Sequence, residues 1–181
     1  ADGCEYPFEA ADATGTEVTV SAPPERIVTL SPSAAQTLWE VGARDRVVAT
    51  TEFASYLDGT DALETIPAAE GQVDVERVVG QRPDLVLAPG TVSNETVETL
   101  RNAGITVFAL GTPATVEGVA ETTTLTGRLV GECEGASETN AWMRANVDAV
   151  RTAVADEPRP RALSLLGGGF TVGSGTFVHD V

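Results

Sequence analysis

The sequence contains no lysine and only one histidine, and these absences narrow the possible functions. All eleven basic residues are arginine, against 27 acidic residues, which gives a net charge of −16. Such a surface repels nucleic acids and anionic membranes. No apolar run approaches the roughly 18 residues that a membrane span requires. The 181 residues are enough for one good hydrophobic core.

Catalytic motifs are also absent from the sequence. His179 stands beside Asp180 near the end of the chain without a nucleophile motif, and we expect a polar helix start there. The glycines at 167–169 do not form a dinucleotide-binding pattern, and the GSGT at 173–176 lacks the lysine of a P-loop. No HExxH, EF-hand or GxSxG sequence occurs. The residues therefore predict a binding protein rather than an enzyme.

The acidic residues are spread along the chain rather than gathered in a tail. This distribution predicts a solvated, acidic surface. Together with the missing lysine, it is typical of halophilic proteins, in which carboxylates maintain solubility at high salt. A GC-rich genome is the alternative explanation for the missing lysine.

A strand–helix–strand pattern covers residues 27–50. Residues 27–30, of which the first three are β-branched, suit a buried parallel strand. Ser31 or Ser33 can cap the following helix, which Gly42 is placed to end. Residues 46–50 form the second predicted strand. Small polar residues thus follow the first strand, at the edge where open α/β sheets bind ligands.

Alternating elements continue along the chain and predict an α/β fold with an open parallel sheet. Residues 53–70 are expected to be irregular. Apolar residues recur at helical spacing at positions 142, 143, 147, 150 and 154, which predicts packing rather than ligand binding for Trp142 and Met143. The other predicted elements are a lid hairpin at 5–10 and 17–21, helices at 75–81, 95–102, 116–130 and 136–154, and strands at 85–88, 106–110 and 162–166.

Three segments, in the same order, resemble the class III periplasmic-type substrate-binding proteins of ABC importers. They are PERIVTLSPSAAQTLWEVGARDRVVATTEFASY (24–56), VDVERVVGQRPDLVLAPG (73–90) and RPRALSLLGGGFTVGSGTFVHDV (159–181). The resemblance implies an N-terminal ligand-binding lobe at 1–131, with its hairpin at 5–21, and a bridging-helix region at 132–158. Residues 159–181 would begin a C-terminal lobe that is largely missing.

The resemblance also implies a function: an extracytoplasmic receptor that delivers a metal chelate to an ABC importer permease. A ferric siderophore is the first expectation, and cobalamin or haem the alternative. An enzyme or interaction module on a similar scaffold is the alternative of another class, since fold does not fix function. We expect no cofactor, no bound structural metal and no nucleic-acid partner. The protein would be extracellular, with any membrane anchor lying outside this chain.

In the family, ligand-binding residues lie in three loops at the carboxyl ends of strands. Aromatic rings and hydroxyls there suit the broad apolar flank of a corrin or siderophore; for Phe53 and Tyr56 the alternative is core packing. No arginine cluster occurs in the three loops, and residues 69–72 lack the tryptophan of some cobalamin binders. The corresponding residues here are Ser31, Pro32, Ser33, Phe53, Ser55, Tyr56, Pro89, Gly90 and Thr91.

Two further roles are implied by the resemblance. Glu76 stands where a surface glutamate of the family docks into an arginine pocket of the permease; an ordinary helix-start acid is the alternative. Cys4 and Cys133 lack the spacing of a zinc site. For an exported protein a disulfide between them is favoured. A lipid-modified Cys4 and two free thiols are the other possibilities.

Overall fold

The computed structural model describes residues 4–68 and 73–158, together with the backbone of 165–166 and 170–171. The loop at 69–72, the glycine-rich segments at 167–169 and 173–176, and the His179–Asp180 pair lie outside the described residues. So does most of the predicted strand at 162–166. The domain boundaries at 131 and 158 stay predictions.

Strands and helices alternate along the described chain. The strands are β1 (Phe8–Ala11), β2 (Glu17–Val20), β3 (Ile27–Thr29), β4 (Val47–Thr51), β5 (Glu64–Ile66), β6 (Leu85–Pro89), β7 (Val107–Leu110), β8 (Leu165–Leu166) and β9 (Phe170–Thr171). The helices are α1 (Pro32–Val41), α2 (Val75–Gly80), α3 (Asn94–Asn102), α4 (Val116–Val130) and α5 (Cys133–Ala153).

The main sheet has five parallel strands in the order β5-β4-β3-β6-β7. Two antiparallel pairs, β1-β2 and β8-β9, form separate two-stranded sheets. The predicted α/β class, with its parallel sheet, N-terminal hairpin and long helix, is confirmed. The main sheet lies between two layers of helices, so its central strands are apolar on both faces.

The first helix is bounded by the residues that the sequence indicated. Ser31 is the N-cap of α1, and its side chain accepts a hydrogen bond from the amide of Ala34. Pro32 occupies the first helical position, where its missing N–H costs nothing. Gly42 adopts φ 94° and ends the helix in the left-handed conformation that favours glycine.

Three expectations about secondary structure were wrong. Residues 64–66 form β5, an edge strand whose first two residues are exposed, so its sequence carries little apolar signal. Helix α5 begins at Cys133, three residues before the predicted start. The hairpin β1-β2 is not a lid, because Phe8, Val18 and Val20 are buried in the core.

Buried Asp12 fastens the hairpin to the sheet. One carboxylate oxygen, Oδ1, accepts hydrogen bonds from the amide and hydroxyl of Thr14 and from the amide of Thr16. The other, Oδ2, accepts from the Ala109 amide in β7 at 3.0 Å and from Arg101 of α3 at 2.6 Å. Burial alone would raise the pKa of Asp12, but these hydrogen bonds hold it below its ordinary value.

The C-terminal end of α4 is held by three contacts. A disulfide joins Cys4 to Cys133, across 129 residues of sequence. The Tyr6 hydroxyl lies within hydrogen-bonding distance of two carbonyls in the last turn of α4. Arg46 donates to the Val130 carbonyl at 2.6 Å and to a Glu132 carboxylate oxygen at 2.6 Å. Closing a loop this long contributes about 4–5 kcal/mol in the chain-entropy model of disulfides.

Asp12→Asn should lower the free energy of unfolding by about 2–3 kcal/mol at pH 6, because an amide would place a donor against at least one of the existing donors. The folded-state pKa of Asp12 is lowered, so its stabilisation is complete above the unfolded value near 3.9 and is lost as the pH falls through the folded value. The difference between wild type and variant should therefore shrink from pH 6 to pH 3 in urea titrations.

Asp156→Asn, which alters an exposed carboxylate in the turn after α5, is the matched control and should leave stability within about 0.5 kcal/mol. An Asp12→Asn variant as stable as wild type at pH 6 would contradict the assigned role of this carboxylate.

Candidate functional site

A recess of about 170 Å³ opens at the carboxyl edge of the sheet. Strands β3, β6 and β7 are neighbours and parallel, so the segments that follow them meet there. Four residues of the predicted ligand loops line this recess: Ser31, Ser33, Pro89 and Gly90. The loop after β7 adds Gly111, Thr112 and Pro113, which the sequence analysis did not include.

Helix α4 supplies the remaining wall of the recess through three threonines. Thr122 and Thr123 donate hydrogen bonds to the carbonyls four residues earlier, each at 2.9 Å. Thr126 is fully buried, and its hydroxyl has no hydrogen-bond partner among the described residues. The sequence signal for this wall is the polar run TTTLT inside an otherwise apolar helix. It was missed because threonine is common on helix surfaces.

The recess has polar groups but no charge. Its lining residues include serine and threonine hydroxyls but no ionisable side chain. The hydroxyls of Ser31 and Ser33 lie 2.8 Å apart, and Ser31 also caps α1. An unpaired ion would be poorly accommodated here, whereas a neutral group that can hydrogen-bond is suited to it.

A second groove, of about 430 Å³, continues from the recess to α5. Ser33 and Thr37 line both cavities, and Trp142 and Met143 line the far end of the groove. Trp142 is 68% exposed among the described residues, so the packing predicted for it is not seen there. Over the described residues, α5 buries only Ala136 and Asn140, so its apolar spacing does not correspond to a core face.

The two aromatic rings of the predicted site lie on the surface beside α1. Phe53 is 54% exposed and Tyr56 is 59% exposed, so neither ring is part of the core. The Tyr56 hydroxyl lies 3.3 Å from the Pro32 carbonyl and 3.2 Å from Oε1 of Gln36. Tyr56 therefore flanks one side of the α1 N-terminus.

The remaining predicted residues lie outside the recess. Ser55 and Thr91 are exposed and line neither cavity. Glu76 is exposed in the first turn of α2, away from both cavities. Its neighbour Arg77 pairs with Glu64 and Asp74, whereas Glu76 has no ion pair within residues 4–68 and 73–158.

The described part of the chain contains neither a metal-binding cluster nor a helix that could span a membrane. There, no group of three or more histidine, cysteine, aspartate or glutamate side chains is placed to hold a metal ion. None of the described helices combines the length and apolarity that crossing a membrane demands.

Comparison with known sequences gives a family match over most of the chain. A family model described as periplasmic binding protein matches residues 27–181. A cobalamin-binding protein of Halobacterium salinarum is 47% identical over 178 residues, covering 97% of this chain and 48% of that protein. The Bacillus subtilis lipoprotein YvrC, described as an uncharacterized ABC transporter substrate-binding protein, is 29% identical, covering 74% of this chain and 41% of that protein.

Solved structures share the same fold. Helicobacter pylori CeuE superposes with a TM-score of 0.78 at 20% identity, covering 96% of this chain and 58% of that one. The vitamin B12 binding protein BtuF of Vibrio cholerae gives a TM-score of 0.68 at 22% identity, covering 78% and 55%. The chain spans about half the length of the relatives it matches.

Proposed function

The chain belongs to the periplasmic binding protein family, and we propose that it binds a corrinoid, cobalamin or a close analogue, for delivery to an ABC importer. The resemblance to the class III substrate-binding proteins, drawn from three sequence motifs, is confirmed by the family match. Members of this family are binding proteins.

The observation that carries the proposal is an uncharged, hydroxyl-lined recess in a protein of net charge −16. Haem presents two carboxylates, and catecholate siderophores form anionic ferric complexes. Both would meet a repulsive potential and find no cation among the lining residues. Cyanocobalamin is neutral, and its corrin ring is surrounded by amides that can hydrogen-bond to hydroxyls. The recess therefore suits cobalamin better than an anionic chelate.

The relatives also favour cobalamin. The sequence resemblance alone had given a ferric siderophore as the first expectation, with cobalamin as an alternative. The Halobacterium salinarum relative is named for cobalamin, and its similarity extends over 97% of this chain. A neutral ferric trihydroxamate would also meet the charge requirement, so it is the siderophore class that a binding experiment needs to include.

The proposal also includes export of this protein and its docking to the permease of an ABC importer. The name of the Bacillus subtilis relative describes an ABC transporter lipoprotein. By analogy, this protein acts outside the cell and presents its ligand to a permease. The acidic surface is consistent with a high-salt environment, which stays a prediction.

The full-length gene product should bind cyanocobalamin with one-to-one stoichiometry in isothermal titration calorimetry. Because the ligand is neutral, its affinity should change little between 0.1 M and 2 M potassium chloride. Haem and a ferric catecholate should bind more weakly, with a ferric trihydroxamate as the neutral control. Tight binding of any iron chelate without binding of cobalamin would contradict the proposal.

Tyr56→Ala and Phe53→Ala should each weaken cobalamin binding by about 1–3 kcal/mol, because stacking and apolar contact between these exposed rings and the corrin would be lost. Val79→Ala, which alters an exposed apolar side chain on α2, is the control and should leave affinity unchanged. Wild-type affinity in the variant that combines Phe53→Ala with Tyr56→Ala would show that these rings are not part of the binding site.

Glu76→Arg should leave cobalamin affinity within a factor of about two, because Glu76 lines neither cavity. Against a permease arginine, the same change juxtaposes like charges, which costs several kcal/mol. Stimulation of the importer ATPase by liganded receptor should therefore fall sharply.

Glu95→Arg is the matched control for Glu76→Arg, since Glu95 is an exposed acid in the first turn of α3. Both changes remove a favourable helix-dipole interaction, so a difference between them isolates docking. If the Glu76→Arg receptor stimulates the importer ATPase normally, Glu76 is an ordinary acid at a helix start. If the variant loses affinity for cobalamin, Glu76 belongs to the ligand site.

A further inference from the structure

We propose that the second groove, between α1, α4 and α5, is a nucleoside subsite of the ligand site. In it the Trp142 ring stacks on the planar base of the corrinoid's nucleotide, and the Glu40 carboxylate accepts hydrogen bonds from the ribose. This inference rests on the proposed function and names the part of the ligand that lies beside the corrin ring. Trp142 then determines ligand specificity from a helix that the sequence analysis did not include in the site.

The groove continues the recess and is the larger of the two cavities. Residues of α1 and α4 line both, so no wall separates them. The recess alone, at about 170 Å³, is smaller than the roughly 300–1,000 Å³ of typical ligand pockets. A corrinoid that covers the recess therefore extends beyond it, and the groove of about 430 Å³ is the adjoining space. The shared lining residues are Ser33, Thr37, Val119 and Thr123.

The lining of the groove combines an aromatic ring with one carboxylate. Trp142 and Met143 supply apolar surface, and Glu40 is the only ionisable side chain among the lining residues. An ionised carboxylate accepts hydrogen bonds and donates none, which suits it to sugar hydroxyls, as in the acidic residue that holds ribose in dinucleotide sites. The same carboxylate repels the phosphodiester of the nucleotide, which therefore stays outside the groove.

The two tryptophans of the chain differ in how their rings are used. Trp39 is half-buried, and its indole N–H donates to the Asp58 carbonyl at 3.0 Å. Trp142 is 68% exposed, and within residues 4–68 and 73–158 its indole nitrogen makes no hydrogen bond. An exposed indole face is a stacking surface for a planar base. Binding of the base would bury apolar area on Trp142 without displacing a neighbour.

Hydrogen bonds hold the helices on both sides of the groove. The Asn140 side-chain amide is buried and donates to the Ala120 carbonyl of α4 at 3.0 Å. The Thr139 hydroxyl lies 3.2 Å from the Glu40 carbonyl of α1. Trp142 follows these two anchored residues directly along α5, so its backbone is fixed relative to both walls. A stacking surface fixed in this way costs little ordering entropy when the ligand binds.

Trp142→Ala in the full-length gene product should raise the dissociation constant for cyanocobalamin about tenfold in isothermal titration calorimetry, because stacking on the base is lost. Affinity for dicyanocobinamide, a neutral corrinoid that keeps the corrin ring but lacks the nucleotide, should stay unchanged. Trp142→Phe keeps an aromatic face and should retain most of the cyanocobalamin affinity. Glu40→Ala should raise the dissociation constant for cyanocobalamin about three- to tenfold and leave dicyanocobinamide binding unchanged.

Two variants of α5 are the matched controls. Val150→Ala removes an exposed apolar side chain of the same helix, and Glu138→Ala removes an exposed carboxylate. Neither residue lines the recess or the groove. Both controls should bind cyanocobalamin and dicyanocobinamide like wild type. The melting temperature of each unliganded variant shows whether the protein remains folded.

The outcomes separate the subsite from the proposed function. If wild type binds cyanocobalamin and Trp142→Ala binds it equally well, or loses both corrinoids to the same degree, the nucleoside subsite is overturned and the proposed function stands. If Trp142→Ala and Val150→Ala both lower the melting temperature without changing the ratio of the two affinities, another part of the full-length protein covers this face of α5, which also overturns the inference. If wild type binds neither corrinoid, both proposals fail.

Discussion

The parallel arrangement of the five-stranded sheet is the constraint on which the rest of the structure depends. Since β3, β6 and β7 run in the same direction side by side, their carboxyl ends meet along one edge. The segments that leave those ends turn into α1, α3 and α4. One short region therefore contains the N-cap of α1, strand-end loops and the threonine-rich middle of α4, and together these form an uncharged recess in a strongly acidic protein.

The position of α4 is fixed by contacts far from the recess. At its C-terminal end, Tyr6, Arg46 and the disulfide through Cys4 hold the helix junction. Asp12 fastens the same N-terminal segment to β7, the strand whose following loop completes the recess. The N-terminal segment thus helps to position one wall of the recess. The apolar residues of its hairpin belong to the core, so the hairpin is not a movable cover.

Much of the fold could be predicted from the sequence, because local signals and tertiary structure agree there. The β-branched residues before Ser31 and the glycine after α1 indicated a strand and a helix with the correct ends. Strand β5 could not be predicted, since it is short, edge-positioned and half exposed. The exposure of Trp142 was likewise hidden, because helical spacing of apolar residues does not reveal whether another element covers them. Thr126 was missed since an unpartnered hydroxyl exists only in three dimensions.

A crystal structure of the full-length gene product with cyanocobalamin would test the central claim most directly. The account predicts the corrin ring at the carboxyl edge of the sheet, over the recess and beside Tyr56. Anomalous scattering from cobalt would fix the position of the ring independently of its side chains. A corrin bound elsewhere on the protein would contradict the account.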